Sequence, residues 1–220
     1  MNEFIQYLIE PYATYEIWQI GLEIIASILG ISSVVFSKNR NIWVYPTGII
    51  STSIYIYLLF NWGLYGDMLI NLYYTVMSVY GWILWRKAVE SDHIHVRVLK
   101  MDRKEYLIGS ILFILSTILV LTIYYFRPVI QNGFDLSYLS DIGFHYTRID
   151  YIDTFLTAIF LVGMWLMARR KIENWIFWIL GDFIAIGLFL EKVYAITAFQ
   201  YLIFTVLAIM AYFEWKKNYK

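Results

Sequence analysis

A chain of 220 residues that is 60% hydrophobic and 20% aromatic, with its polar residues gathered between apolar blocks of about twenty, has the composition of a polytopic membrane protein. The formal net charge of zero leaves no basic surplus for nucleic acid, so the informative quantity is where along the chain the charges fall. The absence of cysteine excludes disulfides, thiolate nucleophiles and thiolate metal sites.

In chain order, residues 1–15 (MNEFIQYLIEPYATY) lack the basic n-region and small-residue cleavage site of a signal peptide and are expected to form an interfacial helix ending near Pro11. Apolar windows follow at Glu16–Phe36, Ile42–Phe60, Leu64–Trp85, Glu105–Phe126, Tyr151–Ala168, Glu173–Leu190 and Val193–Trp215. At about 1.5 Å per residue each is long enough to cross a hydrocarbon core of about 30 Å. The windows are continuously apolar, which fits helices and not the alternating strands of a membrane barrel. Fourteen basic residues lie in the first, third and fifth connectors and the tail, against Arg127, Arg148 and Lys192 in the alternate connectors. The excess of positive charge on the cytoplasmic side therefore predicts an outside N-terminus and a cytoplasmic C-terminus. The connector from Arg127 to Asp150 is too polar to span and reads as a solvated outer loop or a lid over an external mouth.

YTVMSVYGWILWRK (74–87) aligns with FTVLAIMAYFEWKK (204–217), matching Thr75 with Thr205, Val76 with Val206, Trp85 with Trp215 and Lys87 with Lys217. The spans preceding each segment also correspond in order and length. The expected fold is therefore all-α, seven transmembrane helices in a 3+1+3 parallel repeat. Its segments are the N-terminal stretch 1–15, a first repeat 16–85, a cytoplasmic loop and linker helix 86–126, the outer loop 127–150, a second repeat 151–215 and a tail 216–220.

Within the spans, polar residues recur at helical spacing: Gln19, Glu23 and Ser27; Asp67, Asn71, Tyr74, Thr75 and Ser78; Thr197, Gln200 and Tyr201. Ser and Thr in such stripes glue helices together as readily as they line a cavity. Glu23 and Asp182 differ in cost. A carboxylate deep in a bilayer needs water, a ligand or a partner, and no Lys or Arg falls in any of the seven windows. Either these acids are protonated, or the positive charge arrives with a substrate. In ENWIFWILGDF (173–183), Trp175, Trp178 and Asp182 share one helix face, an arrangement that suits a flat cationic ring held by cation–π attraction and a carboxylate. Pro46 and Gly48 in the second window are the candidate hinge, with a static kink as the equal reading.

The segments NIWVYPTGIIST (41–52), NLYYTVMSVYGWILW (71–85), WIFWILGDF (175–183) and YAITAFQYLIFTVLAIMAYFEW (194–215) resemble the PnuC family of vitamin transporters. The resemblance implies a SWEET-like seven-helix homotrimer in a bacterial inner membrane. Such a protein carries nicotinamide riboside inward by facilitated diffusion, and a cytoplasmic kinase traps the product. It places Trp175, Trp178, Asn71, Tyr74 and Gln200 in the pocket, and calls for no cofactor and no metal. The family pattern often ends W-x-x-W-x-x-x-N, where this chain has Asp182, so thiamine, also cationic, is the alternative cargo. Relatives are also assigned to riboflavin, which is neutral and bulkier. An intramembrane aspartyl protease built on Gly66-Asp67 and Gly181-Asp182 is the remote alternative, but the G-x-G-D pattern fails at Leu64 and Ile179. His93, His95 and His145 all lie in loops, without metal-ligand spacing.

Overall fold

Where no water can satisfy the backbone, a continuous apolar run must close its hydrogen bonds internally, and each of the seven windows is accordingly helical. The computed structural model describes residues 16–62, 65–90, 92–191 and 195–219. The expected interfacial helix over residues 1–15 lies outside the described residues. The long helices are α1 (Ile17–Lys38), α2 (Val44–Asn61), α3 (Tyr65–Arg86), α4 (Arg103–Tyr125), α5 (Arg148–Ala168), α6 (Asn174–Glu191) and α7 (Ala195–Lys217). Five of them, α1, α4, α5, α6 and α7, are long and apolar enough to cross a membrane. In α2 and α3 the apolar residues are diluted by hydroxyl and tyrosine side chains such as Thr47, Ser51, Thr52, Tyr73 and Tyr74.

Two helix starts are set by reciprocal capping. Asp102 accepts from the Glu105 N–H at 2.8 Å while the Glu105 carboxylate accepts from the Asp102 N–H at 2.9 Å, which opens α4. Thr147 and Asp150 make the same exchange, so α5 begins at Arg148, ahead of the expected Tyr151. Pro46 is one of the two candidate hinge residues. It stands in the first turn of α2, where no intrahelical partner is due to a backbone N–H, so the missing proton breaks nothing. Gly48 is a packing position, because a Cβ there would come within 3.1 Å of Ser33 Oγ.

The helix bounds recur at a shift of 130 residues: α2 and α6 coincide at both ends, α1 and α5 end in register, and α3 and α7 start in register. Even the tight turns correspond, with Arg40 and Arg170 both left-handed at φ 58° and 60°. Within each set of three the middle helix packs on both neighbours. Between sets α1 meets α7 and α3 meets α5, contacts that exchange under the shift. α4 lies outside both sets and packs along α5.

One end of the bundle carries the basic connectors and the main core. Trp85 Nε1 donates to the Met167 carbonyl at 3.3 Å, and its repeat equivalent Trp215 donates to the Ser37 carbonyl at 2.9 Å. Ser37 and Met167 are themselves equivalent under the shift, so the two bonds are a reciprocal exchange between halves. Trp85, Trp215, Tyr45 and Trp175 form the aromatic centre of this core. The segment 92–99 straps it. Its Val96 N–H donates to Arg40 O at 3.1 Å and its Leu99 N–H to Arg170 O at 2.9 Å, which ties the strap to the same turn in both halves. Val96 and Val98 are wholly buried beneath the core. At the strap's exposed tip, the His95 ring and the backbone N–H groups of His95 and Ile94 hold the Asp92 carboxyl well below its ordinary range. Buried Glu105 pairs with Arg169 and Lys171, each at 2.8 Å, anchoring α4 at this end.

At the opposite end the polar connector forms a short helix (Arg127–Gln131) and a 3₁₀ turn (Leu136–Asp141), which pack together. Gly143 N–H and the Tyr146 hydroxyl return to the carbonyls of Tyr125 and Leu121, so the connector sits on the end of α4.

Candidate functional site

A cavity of about 250 Å³ opens between the two sets of helices, on the far side of the basic-end core. α1, α2 and α3 contribute Gly30, Ser33, Val34, Ser37, Val44, Gly48, Ser51, Thr52, Tyr74 and Ser78; α5, α6 and α7 contribute Phe160, Met164, Met167, Trp175, Trp178, Asp182, Tyr201, Phe204 and Ala208. Many of these are equivalent under the 130-residue shift: Gly30 with Phe160, Val34 with Met164, Ser37 with Met167, Gly48 with Trp178, Thr52 with Asp182, Tyr74 with Phe204, and Ser78 with Ala208. The two walls therefore match in position and differ in chemistry.

The second wall is aromatic. Trp178 stacks on Phe160 at 5.3 Å between centroids, Phe160 on Tyr201 at 6.3 Å, and Tyr201 on Phe189 at 5.1 Å, with interplanar angles of 26°, 13° and 18°. Gly181 makes room for this stack, since a Cβ there would run into the Phe160 ring. Tyr74 reaches across from α3 to lie 6.4 Å from Trp178. Trp175 is 2% exposed, packs edge-on against Trp215 at 5.5 Å, and leaves its Nε1 without a partner among the described residues.

Asp182 is 4% exposed and is the one charged side chain among the described lining residues. No hydrogen bond or ion pair reaches it from any described residue. The spacing of Trp175, Trp178 and Asp182 thus translates into one shared cavity wall, as their common helix face required.

Of the remaining sequence candidates, Tyr74, Tyr201 and Gly48 line the cavity, and Asn71, Gln200, Glu23 and Pro46 do not. Asn71 lies one turn beyond Tyr74, toward the end of α3 away from the basic core, and its amide donates to the Asp67 carbonyl at 3.0 Å. Gln200 adjoins Tyr201, and neighbours on a helix point about 100° apart, so the cavity takes the tyrosine and leaves the amide half-buried elsewhere. Glu23 lies about 10 Å along α1 from Gly30, the first lining residue of that helix. One of its carboxylate oxygens is buried without a partner among the described residues, one turn from Ser27, whose hydroxyl shares a 2.7 Å hydrogen bond with Tyr55. The Thr197 side chain lies outside the described residues. Asp153, a further acid within α5, escaped the sequence reading; the Tyr124 hydroxyl donates to it. Asp67 is exposed and outside the cavity, so it forms no acid dyad with Asp182.

Comparison with known proteins finds transporters throughout. The model of a family described as nicotinamide mononucleotide transporter matches residues 20–217. The nicotinamide riboside transporter PnuC of Escherichia coli (strain K12) is 21% identical over 197 residues, 86% of this chain and 82% of that protein. The nicotinamide riboside transporter PnuC of Neisseria mucosa is 27% identical over 165 residues, 74% of this chain and 57% of its own. The riboflavin/roseoflavin transporter RibM of Streptomyces davaonensis is 20% identical over 209 residues, 94% and 89% of the two chains. The crystal structure of the vitamin B3 transporter PnuC superposes with a TM-score of 0.63 at 22% identity, covering 98% of this chain and 87% of that one.

Proposed function

We propose that the protein, which belongs to the PnuC family through its match to the nicotinamide mononucleotide transporter model, carries nicotinamide riboside across a bacterial cytoplasmic membrane. The observation that carries this reading is Asp182, an acid without a protein cation in an aromatic cavity. A pyridinium ring brings the missing charge and lies against Trp178, where cation–π attraction contributes about 0.5–2 kcal/mol. Phosphate fits poorly: it would set two more negative charges against Asp182, with no Lys or Arg among the described lining residues to offset them. The site therefore favours the riboside over the mononucleotide of the family model's description. The flavin of RibM is neutral and would leave Asp182 without a counter-charge.

In this reading Trp175 and Trp178 hold the ring, Asp182 balances its charge, and Tyr74 and Tyr201 close over it. Glu23, Asn71 and Gln200 are assigned to the approach and not to the bound state. All seven long helices span, α4 links two parallel halves in a SWEET-like 3+1+3 arrangement, and the basic end faces the cytoplasm, with the N-terminus outside. That assignment rests on the 130-residue register and on the distribution of basic residues. Transport is downhill, drawn by cytoplasmic phosphorylation of the product, in a homotrimer. Tryptophan-fluorescence titration tests the ligand: riboside is expected to quench, with thiamine and the mononucleotide at least tenfold weaker. Tighter binding of thiamine or the mononucleotide would refute the assignment. Uptake into proteoliposomes without ion gradients tests the downhill mechanism, and a strict sodium or proton requirement would overturn it.

A further inference from the structure

The wall opposite the tryptophans has a chemistry of its own. Ser33, Ser37, Ser51, Thr52 and Ser78 all present hydroxyls along it. A hydroxyl has one proton to give and two lone pairs. Ser33 donates to Val44 O at 2.8 Å, Ser51 to Ala26 O at 2.7 Å, and Ser37 to the Met167 sulfur at 3.3 Å. Thr52 has Gly48 O at 2.9 Å, Ile49 O at 3.3 Å and the Thr75 hydroxyl at 2.6 Å, so whichever acceptor takes its proton belongs to the protein. Four of the five hydroxyls thus have their protons committed to acceptors within the protein, leaving lone pairs for whatever fills the cavity.

Such a row would be ordinary helix packing were it not for what it faces. Asp182, 4% exposed and unpartnered among the described residues, lines the same space at the position equivalent to Thr52. A carboxylate also accepts and does not donate. The cavity therefore offers acceptors from both sides, and a complementary ligand must bring hydrogen-bond donors as well as positive charge.

We propose that Ser33, Ser51 and Thr52 are specificity-determining residues that accept hydrogen bonds from the vicinal hydroxyls of a sugar, while the second half holds the ring. This rests on the riboside reading above. The wall selects a ligand with an intact diol over one with the same cationic ring and no sugar hydroxyls.

The test is tryptophan-fluorescence titration of the full-length protein with nicotinamide riboside, its 2′,3′-dideoxy analogue and 1-methylnicotinamide. The wild type is expected to bind the riboside at least tenfold more tightly than the other two. Ser51→Ala combined with Thr52→Val is expected to bring the riboside down to the level of the dideoxy analogue while leaving the analogue's affinity unchanged. Thr52→Ser, which keeps the hydroxyl, should retain wild-type discrimination, and Ser33→Ala alone should lose part of it, about threefold. Equal affinity of the wild type for the riboside and its dideoxy analogue overturns the wall and leaves the ring site standing. Variants that weaken both ligands equally, or neither, also overturn it. A wild type that binds none of the three overturns the riboside reading itself.

Discussion

The two halves of the molecule share their backbone plan and divide the chemistry of the cavity. At equivalent positions the first half places Gly30, Gly48 and Thr52, and the second places Phe160, Trp178 and Asp182. Glycines leave space and a hydroxyl residue offers lone pairs; rings and an acid supply surface and charge. A symmetric pair of walls would suit a symmetric ligand, whereas a nucleoside has one flat charged end and one hydroxylated end. Divergence within a repeated frame supplies that asymmetry without altering how the helices pack. At the basic end the halves stay alike, with Trp85 and Trp215 each bonded to the other half's carbonyl.

Breaking the ring side of this division should have the largest effect. Trp178→Ala is expected to weaken riboside binding about a hundredfold in fluorescence titration, as the loss of a buried aromatic anchor does. Gly48→Ala, its counterpart, should cost less than tenfold, with Ser33 giving way by a few tenths of an ångström. A reversal of that order would undo the assignment of ring and sugar to separate walls. Asp182→Asn is expected to lower affinity for the cationic riboside about tenfold and to leave a neutral reduced riboside unaffected, and equal losses for both would return Asp182 to a structural role. Trp85→Phe and Trp215→Phe each delete one cross-half hydrogen bond and should each reduce stability by about 1 kcal/mol, read as matching falls in Tm in detergent. A twofold disparity between them would mean that the basic end is less symmetric than its bonding. The smallest effect is expected at the turns. Arg40→Gly and Arg170→Gly relieve left-handed backbone but lose side-chain contacts to Val96 O and Arg97 O, so each should move Tm by no more than a few degrees.

Much of this fold was legible because a bilayer leaves few choices. Runs such as Glu173–Leu190 could only be helices, and the observed α6 differs from that window by one residue at each end. The face bearing Trp175, Trp178 and Asp182 was legible because helical spacing fixes which residues stand together. Depth along the bundle was not. Glu23 and Asn71 follow the correct stripes but lie beyond the cavity's reach, since periodicity gives an angle about the axis and not a height. The hydroxyl row was hidden for another reason: Ser and Thr glue helices as readily as they line cavities, and Ser33 and Ser51 do both, each donating to a carbonyl of the neighbouring helix while lining the cavity. Val96 and Val98 passed as loop residues because the alternation of Ile94, Val96 and Val98 with His95 and Arg97 runs for only five residues.

The strap that carries those valines belongs to neither half, yet it is bonded to Arg40 O in one and Arg170 O in the other. To part the halves at the basic end, both indole–carbonyl bonds and the strap's bond to one of the halves must yield, at about 1 kcal/mol each. At the far end, among the described residues, no segment is bonded to equivalent turns of both halves in this way. Two halves on one plan are thereby latched to each other at the basic end and, among the described residues, left without such a latch at the other.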